Sequence, residues 1–479
     1  MLAPAIEEHP PVESDAGEQF PSGIEVFRLD RRHRSGEAPV PEQWTCLPRT
    51  VAEVVTIVNW ACRNDWRVSA AGADTPRSAA GAPQAADAET LYVDLSRYMN
   101  RARIDRHADG DEPATVTAQT GITLDALLTQ LEYEGYGLAS CPATGDITLG
   151  SALVVSGHDS ISNLVMSVTV IVWDTERQQY VARTVNSADP RMAALLAHQG
   201  RALIVAATLR VDPAQRVRCV SRTDLGTASV FAPSQKSGQQ SFAALLQRCD
   251  RIESVWFPFT PAPWLKLWSV TPQRPSTARE VDAPYNFPFA DGINERQSDL
   301  IRQLIDGESW ATPLFTGLSY AATVGGLHAI RSADLWGWAK NTQLYLRPTA
   351  LRFTLDGYAV LTTRQRVQYV VSTFYAFLSS ALERHRAEGR FPVNGPWELR
   401  VTRLDDPAEA DFDTVVWLNV LTMPGTPDAQ SFYAELDSWI TTAFDLPHEK
   451  VLRQPDNVQD AAPAILDRLD PHSVFARAA

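Results

Sequence analysis

The sequence predicts an α+β protein made of two domains, or of one domain interrupted by another. Three observations carry this. The chain has 479 residues, too many for one ordinary core. Its first part alternates short strand-like runs with amphipathic helical ones, and Pro213 breaks the pattern, which places a boundary near Gln215. Beyond that point strands in series, accompanied by long helices, suggest an antiparallel sheet covered on one side.

The elements follow in order. The opening "MLAPAIEEHPPVESDAGEQF" is rich in Pro and Glu and lacks a basic stretch followed by an apolar one, so it reads as a disordered tail rather than a signal peptide. A cytoplasmic location is the corresponding expectation. From Val51 to Cys62 apolar residues recur at helical spacing, with Pro48 and Thr50 supplying a turn and an N-cap. The stretch "RVSAAGADTPRSAAG" (Arg67–Gly81) comes next, with small residues that allow close backbone approach to a ligand and with no His, Lys or Cys. Thr90–Ser96 and Ala114–Gly121 read as strands, and Thr123–Gly135 as a capped helix. Ser162–Asp174 and Arg201–Asp212 are two strong strands. After the boundary come a strand-like Leu344–Leu355, a helix over Arg364–Gly389, the strands "WELRVTRL" and "TVVWLNVLTMPG", and a short helix before Asp470-Pro471.

Composition excludes several classes. With 57 acidic against 43 basic residues and a net charge of -14, the chain offers no nucleic-acid surface. Its apolar runs fall short of the roughly 20 residues that span a bilayer. The 5 cysteines have no Cys-x-x-Cys spacing, so neither a metal site nor a disulfide framework is expected. A bulky, hydrophobic small molecule is the expected partner; the oligomeric state is not legible.

Chemistry concentrates in a few places. Period-two alternation puts Glu398, Arg400 and Thr402 on one face of "WELRVTRL", and Val415, Trp417, Asn419 and Leu421 on one face of the next strand. Glu398 and Arg400 read either as an ion pair on a solvated strand or as an acid/base group with its charge partner in a pocket. Asn419, an amide in an apolar strand, requires a partner, since leaving it unpaired costs about 1–3 kcal/mol. Between Cys141 and Val165 lie a Pro-x-x-Gly turn, the small pair Gly150-Ser151 and His158. Without a Walker-type Lys they signal phosphate only weakly, and a lone His is more often structural. No Gly-x-Gly-x-x-Gly occurs. The aromatic run "WFPFTPAPWLKLW" (Trp256–Trp268) suits a core or the wall of an apolar pocket.

From Pro21 to Phe475 the chain resembles the vanillyl-alcohol-oxidase (PCMH-type) flavoproteins, most closely the type II, covalent-flavin cholesterol oxidases. The stretches that carry this are "FPSGIEVFRL", "WTCLPRT", "ISNLV", "WFPFTPAPWLKLW", "DLWGWAKNTQLYL", "FPVNGPWELRV", "VVWLNVLTMPGTP" and "LDPHSVF". The resemblance implies an FAD-type domain over 21–215, completed by 446–479, with a substrate domain over 216–445 inserted and a tail over 1–20. It also implies that Glu398, Arg400 and Asn419 line the substrate and flavin site. Where the family has an Arg-x-x-Gly-x-x-His loop, Gly72 matches the glycine, while Asp74 or Thr75 falls at the attachment histidine. The implied cofactor contacts are Gly72, Ala73, Asp74, Thr75, Gly150, Ser151 and His158. A carboxylate of the family's pocket is replaced by Ala321.

Asp74 would set negative charge beside two phosphates, and neither it nor Thr75 can form a histidyl bond. These departures lead to the expectation of an enzyme that has lost its flavin, binds no cofactor or metal, and catalyses a redox-neutral cyclisation or isomerisation of a polyketide-like natural product. The alternatives are an oxidoreductase with non-covalent FAD acting on an alcohol of a sterol-like substrate, and a non-catalytic binding protein.

Overall fold

The computed structural model describes residues 20–29, 43–70, 89–106, 113–155, 160–198, 200–285, 287, 300–301, 303, 308–346, 353–404, 409, 411–444, 448–454 and 462–475. Strands β1 (Glu25–Leu29), β2 (Gln43–Leu47), β3 (Arg67–Ala70) and β4 (Thr90–Val93) form a four-stranded sheet in the order β1-β2-β4-β3. Between β2 and β3 runs the helix Val51–Arg63, and Thr50 caps it by accepting from Glu53 N, as its sequence position predicts. The buried stripe Val54, Ile57, Val58 and Ala61 packs this helix into the core that contains Leu91 and Val93 of β4.

A second, antiparallel sheet has the order β5-β6-β10-β8-β9 and contains β5 (Ala102–Asp105), β6 (Thr115–Gln119), β8 (Val165–Asp174), β9 (Gln179–Asn186) and β10 (Leu203–Arg210). A short pair, β7 (Tyr136–Gly137) and β11 (Asp212–Pro213), stands beside it. The helix Leu124–Tyr133, capped by Thr123, buries Leu124, Leu127, Leu128 and Leu131 against this sheet's core. The chain returns here at its far end. Leu466 of the helix Ala462–Leu469 joins the same core, and Val68 N of β3 donates to Val474 O at 2.7 Å.

The remaining strands are β12 (Arg216–Arg222), β13 (Arg251–Trp256), β14 (Trp264–Val270), β15 (Arg279–Val281), β16 (Asp334–Trp338), β17 (Thr354–Thr362), β18 (Trp397–Arg403), β19 (Thr414–Thr422) and β20 (Lys450–Gln454). They build one sheet of 9 strands, β15-β16-β12-β14-β13-β18-β19-β17-β20, in which only β15 and β16 pair in parallel. One face, with Ile252, Trp256, Trp397, Leu399, Val416, Leu418 and Val420, packs on the helices Val367–Ala387 and Ala429–Ala443.

The other face is covered in part too, which the expectation of a one-sided sheet did not include. The helix Thr312–Ala329 sends Leu327 into the cluster of Val217 and Leu335, and Phe315 against Met423 just past β19. β19 is buried along its whole length. The strand expected over Leu344–Leu355 also differs. Leu344 caps the short helix Ala339–Gln343, residues 347–352 lie outside the described ones, and the strand proper is β17. All 5 cysteines are free thiols, and burial pushes those of Cys46 and Cys219 up to about 12. No helix among the described residues is long and apolar enough to cross a membrane.

Candidate active site

Antiparallel register sets two rungs of side chains across the sheet face that is turned away from the helices Val367–Ala387 and Ala429–Ala443. Residues directly opposite one another in such a ladder share a face. The first rung runs Ser221, Lys266, Glu253, Arg400, Trp417 and Ala359. The second runs Trp264, Val255, Glu398, Asn419 and Gly357. Glu398, Arg400 and Asn419, brought forward by alternation within each strand and grouped by the family resemblance, come together on one face.

The first rung is an ionic cluster in the interior. Lys266 Nζ lies 2.7 Å from Glu253 Oε1, and Arg400 Nε lies 3.2 Å from Glu253 Oε2. Glu253 and Lys266 are each 3% exposed and Arg400 7%. Burial on its own would raise the Glu253 carboxyl, yet Arg400 and Lys266 beside it outweigh that and hold it well below the usual carboxylate range. For Lys266, burial opposes the ammonium, while Glu253 and Tyr345 more than restore it and keep its pKa above the ordinary value. All three groups are thus charged at neutral pH. Lys266 also donates to Tyr345 Oη at 2.9 Å and stands 4.7 Å from the ring centre of Trp264.

The second rung is short of partners. Asn419 is 2% exposed and its Oδ1 meets no hydrogen-bond partner among the described residues, and neither does the buried Trp264 Nε1. Glu398 is half-buried, with no hydrogen bond or ion pair to its carboxylate among the described residues. Gly357, opposite Asn419, presents no side chain. A carboxylate, an amide and an indole N–H therefore stand unclaimed on a largely apolar face. Each buried, unmade hydrogen bond is costly, so the rung is built to meet a ligand that both donates and accepts.

The other residues brought forward by sequence are placed as follows. Gly150 N donates to Thr120 O at 2.9 Å, and Ser151 N donates to Thr148 Oγ1, which caps the helix Leu149–Leu153. Gly72, Ala73, Asp74, Thr75 and His158 lie outside the described residues. Ala321 is exposed on the helix Thr312–Ala329. Two open grooves lie away from both rungs. One of about 500 Å3 is lined by Tyr369, Phe377 and Trp439, and one of about 670 Å3 by Leu355, Met423 and Tyr433.

Sequence reading missed Glu253, Lys266 and Tyr345. Lys266 had a signal, a cation between Trp264 and Trp268 at period two within an aromatic run. Glu253 had none, because only register with β14 and β18 shows what it joins.

The described walls fit a flavin. The orphaned Asn419 Oδ1, which accepts, the orphaned Trp264 indole N–H, which donates, and a buried rung bearing two cations suit a flat ring system whose edge carries both N–H and carbonyl groups.

The comparisons with known proteins agree. The family model for the FAD-binding domain matches residues 43–176, and that for the substrate-binding domain of cholesterol oxidase matches residues 216–454. A solved structure described as a solvent-stable cholesterol oxidase is 37% identical over 96% of this chain and 98% of its own, with a TM-score of 0.85. The cholesterol oxidase of B. sterolicum is 30% identical over 96% and 97%, also with a TM-score of 0.85. An alkyldihydroxyacetonephosphate synthase, 12% identical with a TM-score of 0.51 over 91% of this chain and 76% of its own, shares the fold alone. No curated protein matches the chain.

These findings overturn the expectation of a cofactor-free cyclase or isomerase of natural-product biosynthesis. An FAD-binding domain and a cholesterol-oxidase substrate domain are both matched, and the likeness runs through nearly the whole chain. That expectation rested on the lack of a histidine in Arg67–Gly81, a feature that would bear on one covalent bond and not on the many contacts that hold a cofactor. The chain belongs to the type II cholesterol oxidase family, on the vanillyl-alcohol-oxidase-type FAD-binding fold.

Proposed function

We propose that the protein is an FAD-dependent oxidoreductase that oxidises a hydroxyl group on a bulky, sterol-like substrate. The observation that carries this reading is the second rung, where the unclaimed Glu398 carboxylate stands beside the orphaned Asn419 amide on a buried, mostly apolar face. An alcohol can engage both residues: its O–H donates to Glu398 and its oxygen accepts from the Asn419 NH2 group, which leaves Asn419 Oδ1 for a second donor. Glu398 is the group that takes the hydroxyl proton, Asn419 orients the oxygen, and Arg400, pinned by Glu253, sets the charge next to them. The flavin supplies the acceptor for the hydride that leaves the carbinol carbon. The apolar walls exclude water and take up the hydrocarbon body of the substrate.

On this reading the cofactor is held by the segment Gly72–Thr75 together with Gly150, Ser151 and His158, without a histidyl bond. The support is that Arg67–Gly81 contains no histidine. An absorption spectrum of the purified protein before and after acid precipitation tests both halves. A flavin band that passes into the supernatant is the expected result. Flavin retained in the pellet would sink the non-covalent attachment, and a colourless protein that takes up no FAD would sink the function. With cholesterol added in the absence of oxygen the flavin band should bleach, and Glu398→Gln should slow bleaching about 100-fold or more.

A further inference from the structure

Tyr345 stands where the two parts of the molecule meet. Its phenol belongs to the charged rung, through the hydrogen bond from Lys266 Nζ. Its backbone is bridged to the loop between Cys141 and Thr148. Tyr345 N donates to Ala143 O at 2.6 Å, and Gly145 N donates to Tyr345 O at 2.7 Å.

That loop is pinned on its other side by the first turn of the helix Leu124–Tyr133, where Asp125 N donates to Gly145 O at 2.8 Å and Leu124 N to Ile147 O at 2.9 Å. It has little slack. A Cβ on Gly145 would lie 2.8 Å from Leu346 Cδ2 and 3.2 Å from Leu344 Cδ1, so the loop packs closely on the residues flanking Tyr345, to which two backbone hydrogen bonds tie it. From the phenol a continuous series of polar contacts leads through Lys266 and Glu253 to Arg400, two residues from Glu398 on the same strand face.

We propose that Tyr345 is a positioning residue that couples the Cys141–Thr148 loop to Arg400 through Lys266 and Glu253. Buried ions are not left unpaired without large cost, so a displacement at one end of the series is passed along it rather than absorbed. Coupling of this kind is reciprocal: a change at Arg400 is felt at the loop as strongly as the reverse. What the coupling does to turnover rests on the flavin-oxidoreductase reading, whereas the coupling itself does not.

Amide hydrogen exchange on the purified full chain tests it, with Tyr345→Phe, Arg400→Lys and the double variant. The Gly121 amide, bonded to Met99 O, serves as the control for global opening. Each single variant should speed exchange at the Gly145 amide about fivefold or more with Gly121 unchanged, and the double variant should exceed neither. Should Arg400→Lys not fold, Lys266→Met breaks the series one step earlier and carries the same expectation. Unchanged exchange at Gly145 in Arg400→Lys or Lys266→Met, or effects that multiply in the double variant, would overturn the coupling. In turnover, Tyr345→Phe should lower kcat about fivefold at constant KM in the native background and leave it unchanged in Arg400→Lys. A protein without flavin defeats the functional reading, while the exchange measurement still decides the coupling.

Discussion

Glu253 is the single anion between two buried cations, and its loss has a definite sign. Its carboxyl is depressed in the folded chain, so the stability it contributes is complete above the unfolded value of about 4.3 and is lost as pH falls from there towards about 2. Lys266 is raised, so its contribution is complete below about 10.4 and is lost only above it. The cluster is therefore intact across the neutral range and yields first to acid. Glu253→Gln should strand Lys266 and Arg400 and cost about 3–5 kcal/mol at pH 7. Urea unfolding measures this, and a midpoint equal to that of the native chain would show that the cations find other partners. At this scale alternation placed Glu398 and Arg400 on one face of their strand and Asn419 on one face of the next, because alternation is written in consecutive residues, while their grouping came from the family resemblance. Lys266 and Glu253 were not legible, since what makes them a site is the alignment of strands far apart in the chain.

Elements that carry their own end signals were the readable ones. Thr50 and Thr123 sit where their helices start, and each accepts from the backbone of the first turn. The strand β17 was misplaced because its apolar residues, buried on both faces, show no alternation, and the neighbouring "LYLRPTALRF" resembles a strand more closely. The junction before β18 is more demanding than its sequence suggests. Asn394 is fully buried, with its Oδ1 accepting from Met423 N at 2.9 Å and its Nδ2 donating to Thr426 Oγ1 at 2.8 Å. At Gly395 next to it a Cβ would lie 2.4 Å from Leu421 O, which is backbone and cannot turn aside. Gly395→Ala should therefore push β18 from β19 and cost on the order of 2–4 kcal/mol. Thermal unfolding checks this, and an unchanged midpoint would mean that the strands part at little cost.

In the whole molecule the family resemblance implied an inserted substrate domain, which local patterns left open, but it placed the return at 446, whereas β20 (Lys450–Gln454) still pairs with β17 in the nine-stranded sheet. Pattern reading left open two domains or an interrupted one, whereas the structure returns residues 462–475 to the cores built by the first part of the chain. Asp470 locks that return by accepting from the Tyr180 hydroxyl, from Val474 N at 3.0 Å and from Phe475 N at 2.9 Å. Asp470→Ala should leave these donors unmet, lower the thermal midpoint and open the segment after it to proteases, as limited proteolysis with mass spectrometry would show. A cleavage pattern like that of the native chain would mean that Val474 and Phe475 hold by packing alone. The same return sets an order of events during synthesis. β3 lies at the rim of its sheet, and its Val68 amide waits for a carbonyl made long after it. Until then the nascent chain carries an open edge beside an unfinished core, the kind of surface on which chaperones act and strands mispair. A strand made early in this chain is thus among the last to be sealed.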